Sequence, residues 1–177
     1  MAMIDQNFTN SSLSLTLLFV LAMAVRQDLT KQRISNVLTL LGFATALALQ
    51  AISGGTSGFL NALAGAGVGM ACLLPLYFGK GMGAGDVKLM GAAGAFLGPS
   101  GAIVAALLSL ASGALLGLVV LVWRAVELKA ATAPATGTVN GSIVAQLRKQ
   151  RFPYAAAIAI GVGATMWWSG MLEVLIP

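Results

Sequence analysis

Five carboxylates make up all the acidic chemistry of this 177-residue chain: Asp5, Asp28, Asp86, Glu127 and Glu173. There is no histidine, and Cys72 is the single cysteine. Ser–His and Cys–His catalysis are therefore excluded, as are His-based and Cys-based metal sites and a disulfide framework. Chemistry must come from Asp, Glu, Lys, Ser or Tyr. Asp5 lies in the N-terminal tail, Glu127 in a polar loop and Glu173 near the C-terminus, which leaves Asp28 and Asp86. Brought together, two carboxylates can share one proton. One then acts as general base on a water while the other protonates the scissile carbonyl or the leaving amine.

Each aspartate also has a plainer reading. Asp28 stands among Arg26, Lys31 and Arg33, as a solvated, ion-paired loop residue would. Asp86 precedes the apolar run Val87-Lys88-Leu89-Met90 and is suited to capping a helix N-terminus. Capping does not exclude catalysis.

The elements that must position these residues are apolar. The chain is 58% hydrophobic and only 8% charged, whereas a soluble domain carries about 25% charged residues. So few charges cannot cover a water-facing surface, and the chain is expected in lipid. A bilayer-crossing helix takes roughly 20 apolar residues. Six apolar runs are expected to form helices, at about 13–25, 37–52, 59–78, 87–97, 102–123 and 153–176. Glycine-rich turns at 53–58, 79–86 and 98–101 separate them. The expected fold is an all-α, polytopic membrane helix bundle of about six transmembrane helices in one domain, 1–177. Many of the 22 glycines sit within the apolar runs, as in membrane bundles whose helices approach closely. Residues 125–152 are expected to form a mobile cytoplasmic loop, with a basic surface helix at 142–151 that meets anionic lipid or substrate.

Charge gives a topology. If six helices alternate from an external N-terminus, every cytoplasmic segment is basic. Those segments hold Arg26, Lys31 and Arg33, then Lys80 and Lys88, then Arg124, Lys129, Arg148, Lys149 and Arg151, which are all ten basic residues. This is the positive-inside pattern. It places both termini on the non-cytoplasmic side, and it accounts for the net charge of +5 without a nucleic-acid partner. Asp28 and Asp86 then share the cytoplasmic end of the bundle.

The run after Asp86 is short, about 11 residues or roughly 17 Å at a helical rise, against a hydrocarbon core of roughly 30 Å. The glycine loop before it is thus expected to dip into the membrane, where irregular backbone survives only in protein or beside a wet cavity. An ionisable Asp at that depth points to function. Gly83 and Gly85 suit either a close approach by an extended substrate or a tight turn.

Gly83-Ala84-Gly85-Asp86 is a GxGD motif that continues as Val87-Lys88-Leu89-Met90-Gly91. It resembles the second-aspartate motif of type IV prepilin peptidases. Asp28-Leu29-Thr30-Lys31-Gln32-Arg33-Ile34-Ser35-Asn36 resembles their first-aspartate motif, with Ser35 where proline is common. Pro153-Tyr154-Ala155, opening the last apolar run, also fits. The resemblance implies an aspartic endopeptidase of the bacterial inner membrane, cleaving the basic leader from prepilins at the cytoplasmic face. It implies Asp28 and Asp86 as catalytic residues. Gly83, Gly85, Lys88, Arg33, Asn36, Pro153 and Tyr154 are the matching positions expected to shape the site or bind substrate. No metal and no cofactor is implied, and the expected partners are the prepilin and membrane lipid. The Cys-x-x-Cys pairs of the long bifunctional peptidases are missing, so N-methyltransferase activity is not expected. The short form resembles the peptidases of Flp-type, tight-adherence pilus systems. An ion-coupled transporter using Asp86 and a non-catalytic pilus scaffold are the other classes the residues allow.

Overall fold

The computed structural model describes residues 2–31, 34–79, 81–131 and 154–169. Four helices follow in chain order: α1 (Ala2–Lys31), α2 (Asn36–Phe78), α3 (Ala84–Ala131) and α4 (Tyr154–Trp168). Among the described residues there is no strand. Three helical segments are long and apolar enough to cross a membrane: Ser11–Lys31, Asn36–Phe78 and Ala84–Trp123. The fourth, α4, is apolar but shorter.

The six expected helices thus become four, because two of the expected turns are single-residue breaks. Gly55 (φ 60°) interrupts α2 and Gly98 (φ 73°) interrupts α3. A side chain at Gly58 would collide with the backbone carbonyl of Gln50, and one at Gly94 would come within 3.2 Å of Ala102 Cβ. Eight residues along an unbroken helix are separated by about 12 Å. The chain therefore doubles back at both glycines, and each long helix is two antiparallel arms. A positive φ costs glycine little, which is why the reversal can be this tight.

The core is the first arm of α3. Leu89, Met90 and Phe96 are fully buried there. The second arm of α2 meets it through small residues: any Cβ on Gly65 would strike the Gly94 carbonyl, and any on Gly94 would strike the Gly65 carbonyl. Backbone approach this close is available only to glycine and supplies the dispersion contact that holds membrane helices together. On its other side α3 packs on α4, where Ser112 Oγ donates to the Ala157 carbonyl (2.9 Å). α1 joins through Val20, which lies against Gly42.

Two expectations shift at the helix ends. α3 runs on to Ala131, so the loop expected from about 125 is still helical over its first residues. The remainder of that loop, with the basic 142–151 segment, lies outside the described residues. α3 also begins at Ala84 rather than at Val87, so Gly85 and Asp86 are already helical.

Ser35 caps α2. Its backbone is extended, and its hydroxyl accepts from the Val37 N–H (3.3 Å). Its own N–H donates to Gln27 Oε1 (2.9 Å), tying the end of α1 to the start of α2. A proline at this position has no N–H and could not make that bond. Ser35→Ala should cost about 1 kcal/mol through the lost cap, and Ser35→Pro should cost more because the Gln27 amide is also released. Chemical unfolding in detergent ranks the two, and equal losses would mean that the Gln27 bond contributes nothing.

Candidate active site

Asp28 is placed by the inward stripe of α1. Leu17, Leu21, Ala24 and Asp28 recur at intervals of four, three and four, and all are buried. Such spacing keeps them on one helix face. The stripe outlasts the apolar run, so the carboxylate is carried inward where the flanking charges suggested a solvated loop. There Asp28 Oδ2 accepts from the backbone N–H of Ala155 (3.1 Å), in the first turn of α4. A helix N-terminus offers unsatisfied N–H groups and a favourable dipole to a carboxylate.

Asp86 is placed by the start of α3. Gly83 precedes the first helical residue, which makes Asp86 the third residue of the helix rather than its cap. Its N–H donates to the Gly83 carbonyl (3.1 Å), and its Oδ2 accepts from the Gly83 N–H (3.2 Å). This reciprocal pairing is the backward half of a capping box. It fixes the carboxylate at the top of the buried arm of α3. Asp28 and Asp86 come within electrostatic reach of each other, and Tyr154 comes within reach of Asp86. Three separate helices thus bring these groups to one end of the bundle.

Lys88 and Asn36 also meet. Lys88 Nζ donates to Asn36 Oδ1 (2.9 Å), bridging the first turns of α2 and α3. Tyr154 leans over Gly113, where a Cβ would come within 2.7 Å of its ring, and its hydroxyl donates to the Ser109 carbonyl (3.5 Å). Gly83 is exposed, and a Cβ there would press on Asp86 Oδ2 at 3.2 Å. The open side of Gly85 is occupied by Ile34, which a Cβ would meet at 3.2 Å. The missing side chain of Gly85 thus makes room for Ile34. Arg33 and Pro153 lie outside the described residues. No group of three or more His, Cys, Asp or Glu residues among the described residues could hold a metal ion.

Some site residues escaped the sequence reading. Ala155 acts through its backbone, which leaves no mark on a side-chain pattern, although a helix opening at Pro153 already implied free N–H groups nearby. Gln27 and Ile34 are ordinary residues whose parts emerge only when the α1–α2 connection folds over α3.

Two carboxylates on different helices thus lie within electrostatic range at one end of an apolar bundle. The model of the type IV leader peptidase family matches residues 15–118, more than half of the chain. The chain belongs to the type IV leader peptidase family. The matched stretch includes both aspartates, Gly83, Gly85, Asn36 and Lys88, and it ends before α4. No curated protein and no solved structure matches the chain. For a leader peptidase, the placement of Asp28 adds something the matched stretch does not contain: its hydrogen-bond partner comes from α4.

Proposed function

We propose that this leader peptidase is an aspartic endopeptidase, with Asp28 and Asp86 as its catalytic pair. It removes the basic leader from Flp-type prepilins at the cytoplasmic face of the bacterial inner membrane. The reading is supported above all by one feature: Asp28 on α1 and Asp86 on α3 lie within charge–charge range at one end of the bundle. In this mechanism one carboxylate is unprotonated and the other carries a proton. The unprotonated carboxylate takes a proton from a water, which attacks the scissile carbonyl carbon. The protonated one supplies its proton to the carbonyl oxygen; as the C–N bond breaks, the first carboxylate passes the proton it took from water to the leaving amine, and the second recovers its proton from the collapsing intermediate. Atoms and charge balance with water alone, so a chelator should leave cleavage unchanged. Loss of activity with chelator and its return with a divalent ion would contradict this.

The six-crossing topology belongs to the same proposal. The reversals at Gly55 and Gly98 supply the two extra turns it requires, and it collects all ten basic residues on the side of the aspartates. N-methylation is left out, since Cys72 is the single cysteine. The test is co-expression with a tagged Flp-type prepilin, read as a gel shift of the pilin. Wild type should process it, and Asp28→Asn and Asp86→Asn should not. Normal pilus assembly by both variants would instead favour a scaffold. Substrate-driven ion flux in proteoliposomes without cleavage would favour a transporter.

A further inference from the structure

α3 visits the aspartate end of the bundle twice. Asp86 stands 12 residues before the reversal at Gly98, and Gly113 stands 15 residues after it. At a helical rise these stretches measure about 18 Å and about 22 Å, so the second arm returns to about the level of Asp86. Tyr154, the first residue of α4, meets it there. The space a side chain on Gly113 would need is filled by the Tyr154 ring: a Cβ would come within 2.7 Å of Cε2 and 2.8 Å of Cζ and the hydroxyl oxygen. That hydroxyl donates to the Ser109 carbonyl, one turn back (3.5 Å). Further along, Ser112 Oγ donates to the Ala157 carbonyl (2.9 Å), and a Cβ on Gly161 would strike Ser109. α4 is therefore laid on the second arm of α3 from its first turn onward. The next residue, Ala155, carries the N–H that Asp28 Oδ2 accepts (3.1 Å). The peptide unit joining Tyr154 to Ala155 is planar and stiff. A contact that fixes it on the Tyr154 side is felt by the buried carboxylate on the other.

We infer that Tyr154 is a positioning residue for the reaction: its ring, seated on Gly113, holds the Ala155 N–H where that group orients the Asp28 carboxylate. This rests on the aspartic-peptidase reading above. α3 then sets both carboxylates. It carries Asp86 on its first arm, and it places Asp28 from its second arm through Tyr154 and Ala155. A displacement of the first turn of α4 would alter the orientation of Asp28 while α1 and the first arm of α3 stay where they are. Such a displacement changes the geometry of the reacting groups rather than the surface that binds substrate, so it is read in turnover.

Steady-state cleavage of a tagged prepilin by the full chain in proteoliposomes tests the assignment, with unfolding temperature measured on the same preparations. A misplacement of about 1 Å can cost about 10²-fold in rate, so Tyr154→Ala should lower kcat at least roughly tenfold with KM little changed. Tyr154→Phe keeps the ring on Gly113 and should recover most of that loss. Gly113→Ala leaves every side chain of the site in place and only fills the space under the ring. It should lower kcat in the parent chain and add little in Tyr154→Ala, because its effect passes through the ring. Gly117→Ala is the control, one turn further along the same arm with nothing within 4 Å of a Cβ, and should leave kcat unchanged. A rise in KM at unchanged kcat would make Tyr154 a substrate-binding residue and overturn the inference. Tyr154→Phe no better than Tyr154→Ala, or additive losses from Tyr154→Ala and Gly113→Ala, would overturn it too. Where Tyr154→Ala is not recovered folded, Gly113→Ala decides alone, and kcat at the parent's level ends the proposal. Asp28→Asn on the same substrate keeps the two readings apart. An inactive Asp28→Asn beside Tyr154 and Gly113 variants that turn over like the parent removes only the positioning role, whereas an active Asp28→Asn removes the aspartic reading on which it rests.

Discussion

Asp86→Asn is expected to insert and fold like wild type while cleaving prepilin at least about 10²-fold more slowly, the lower end of what one positioned acid or base supplies. The substitution preserves the structural half of the residue. An amide oxygen can still accept from the Gly83 N–H, so the start of α3 is kept and only the exchangeable proton is lost. The same holds at Asp28, where the amide oxygen of Asp28→Asn still accepts from Ala155. Asp28→Ala is a different experiment. It leaves the Ala155 N–H buried without a partner, at a cost of about 1–3 kcal/mol, so loss of activity there would mix chemistry with folding. Equal loss of cleavage in the two Asn variants, with the proteolytic resistance of the membrane-inserted protein unchanged, is the signature of a pair that works as a unit. An Asp28→Asn protein that processed prepilin at near wild-type rate would remove Asp28 from the mechanism and with it the aspartic reading.

The largest effect on stability is expected at the contact between Gly65 and Gly94. Each residue's missing side chain is filled by the other's backbone carbonyl. A backbone obstruction cannot rotate away as a side-chain tip can, so the arms of α2 and α3 must separate. Gly65→Val should cost at least about 1–3 kcal/mol, the usual price of overpacking. For a chain of this size that corresponds to a fall of roughly 2–12 °C in thermal unfolding temperature in detergent. Gly67→Val is the control, because nothing lies within 4 Å of a Cβ at that position. A similar fall for both would show that helix propensity, not the close approach, decides the outcome.

The family of this protein was more legible in its sequence than the course of its helices was. A chain without histidine and with five carboxylates leaves few candidates, and the glycine spacing drew attention to Asp86, which the fold places within electrostatic range of Asp28. The six expected apolar runs reappear as two single helices and two pairs of antiparallel arms, and what the sequence did not reveal is that Gly55 and Gly98 each reverse the chain at one residue where a longer glycine-rich loop was expected. Asp28 was hard to place because its neighbours in sequence are basic. Its inward orientation follows from the spacing to Leu17, Leu21 and Ala24, a pattern that continues past the end of the hydropathy signal. The link between Lys88 and Asn36 joins residues far apart in the chain, and neither residue type announces the other. Ser35 marked a departure from the motif, but its compensation could be seen only once Gln27 stood opposite its N–H.

The bond between Asp28 and Ala155 also orders events in time. Asp28 is synthesised early and α4 last among the four helices, and helices enter the membrane in the order in which the ribosome delivers them. Until α4 docks, Asp28 has no backbone donor to hold it. Both carboxylates are therefore in the chain before the backbone donor that holds Asp28, which arrives only with α4.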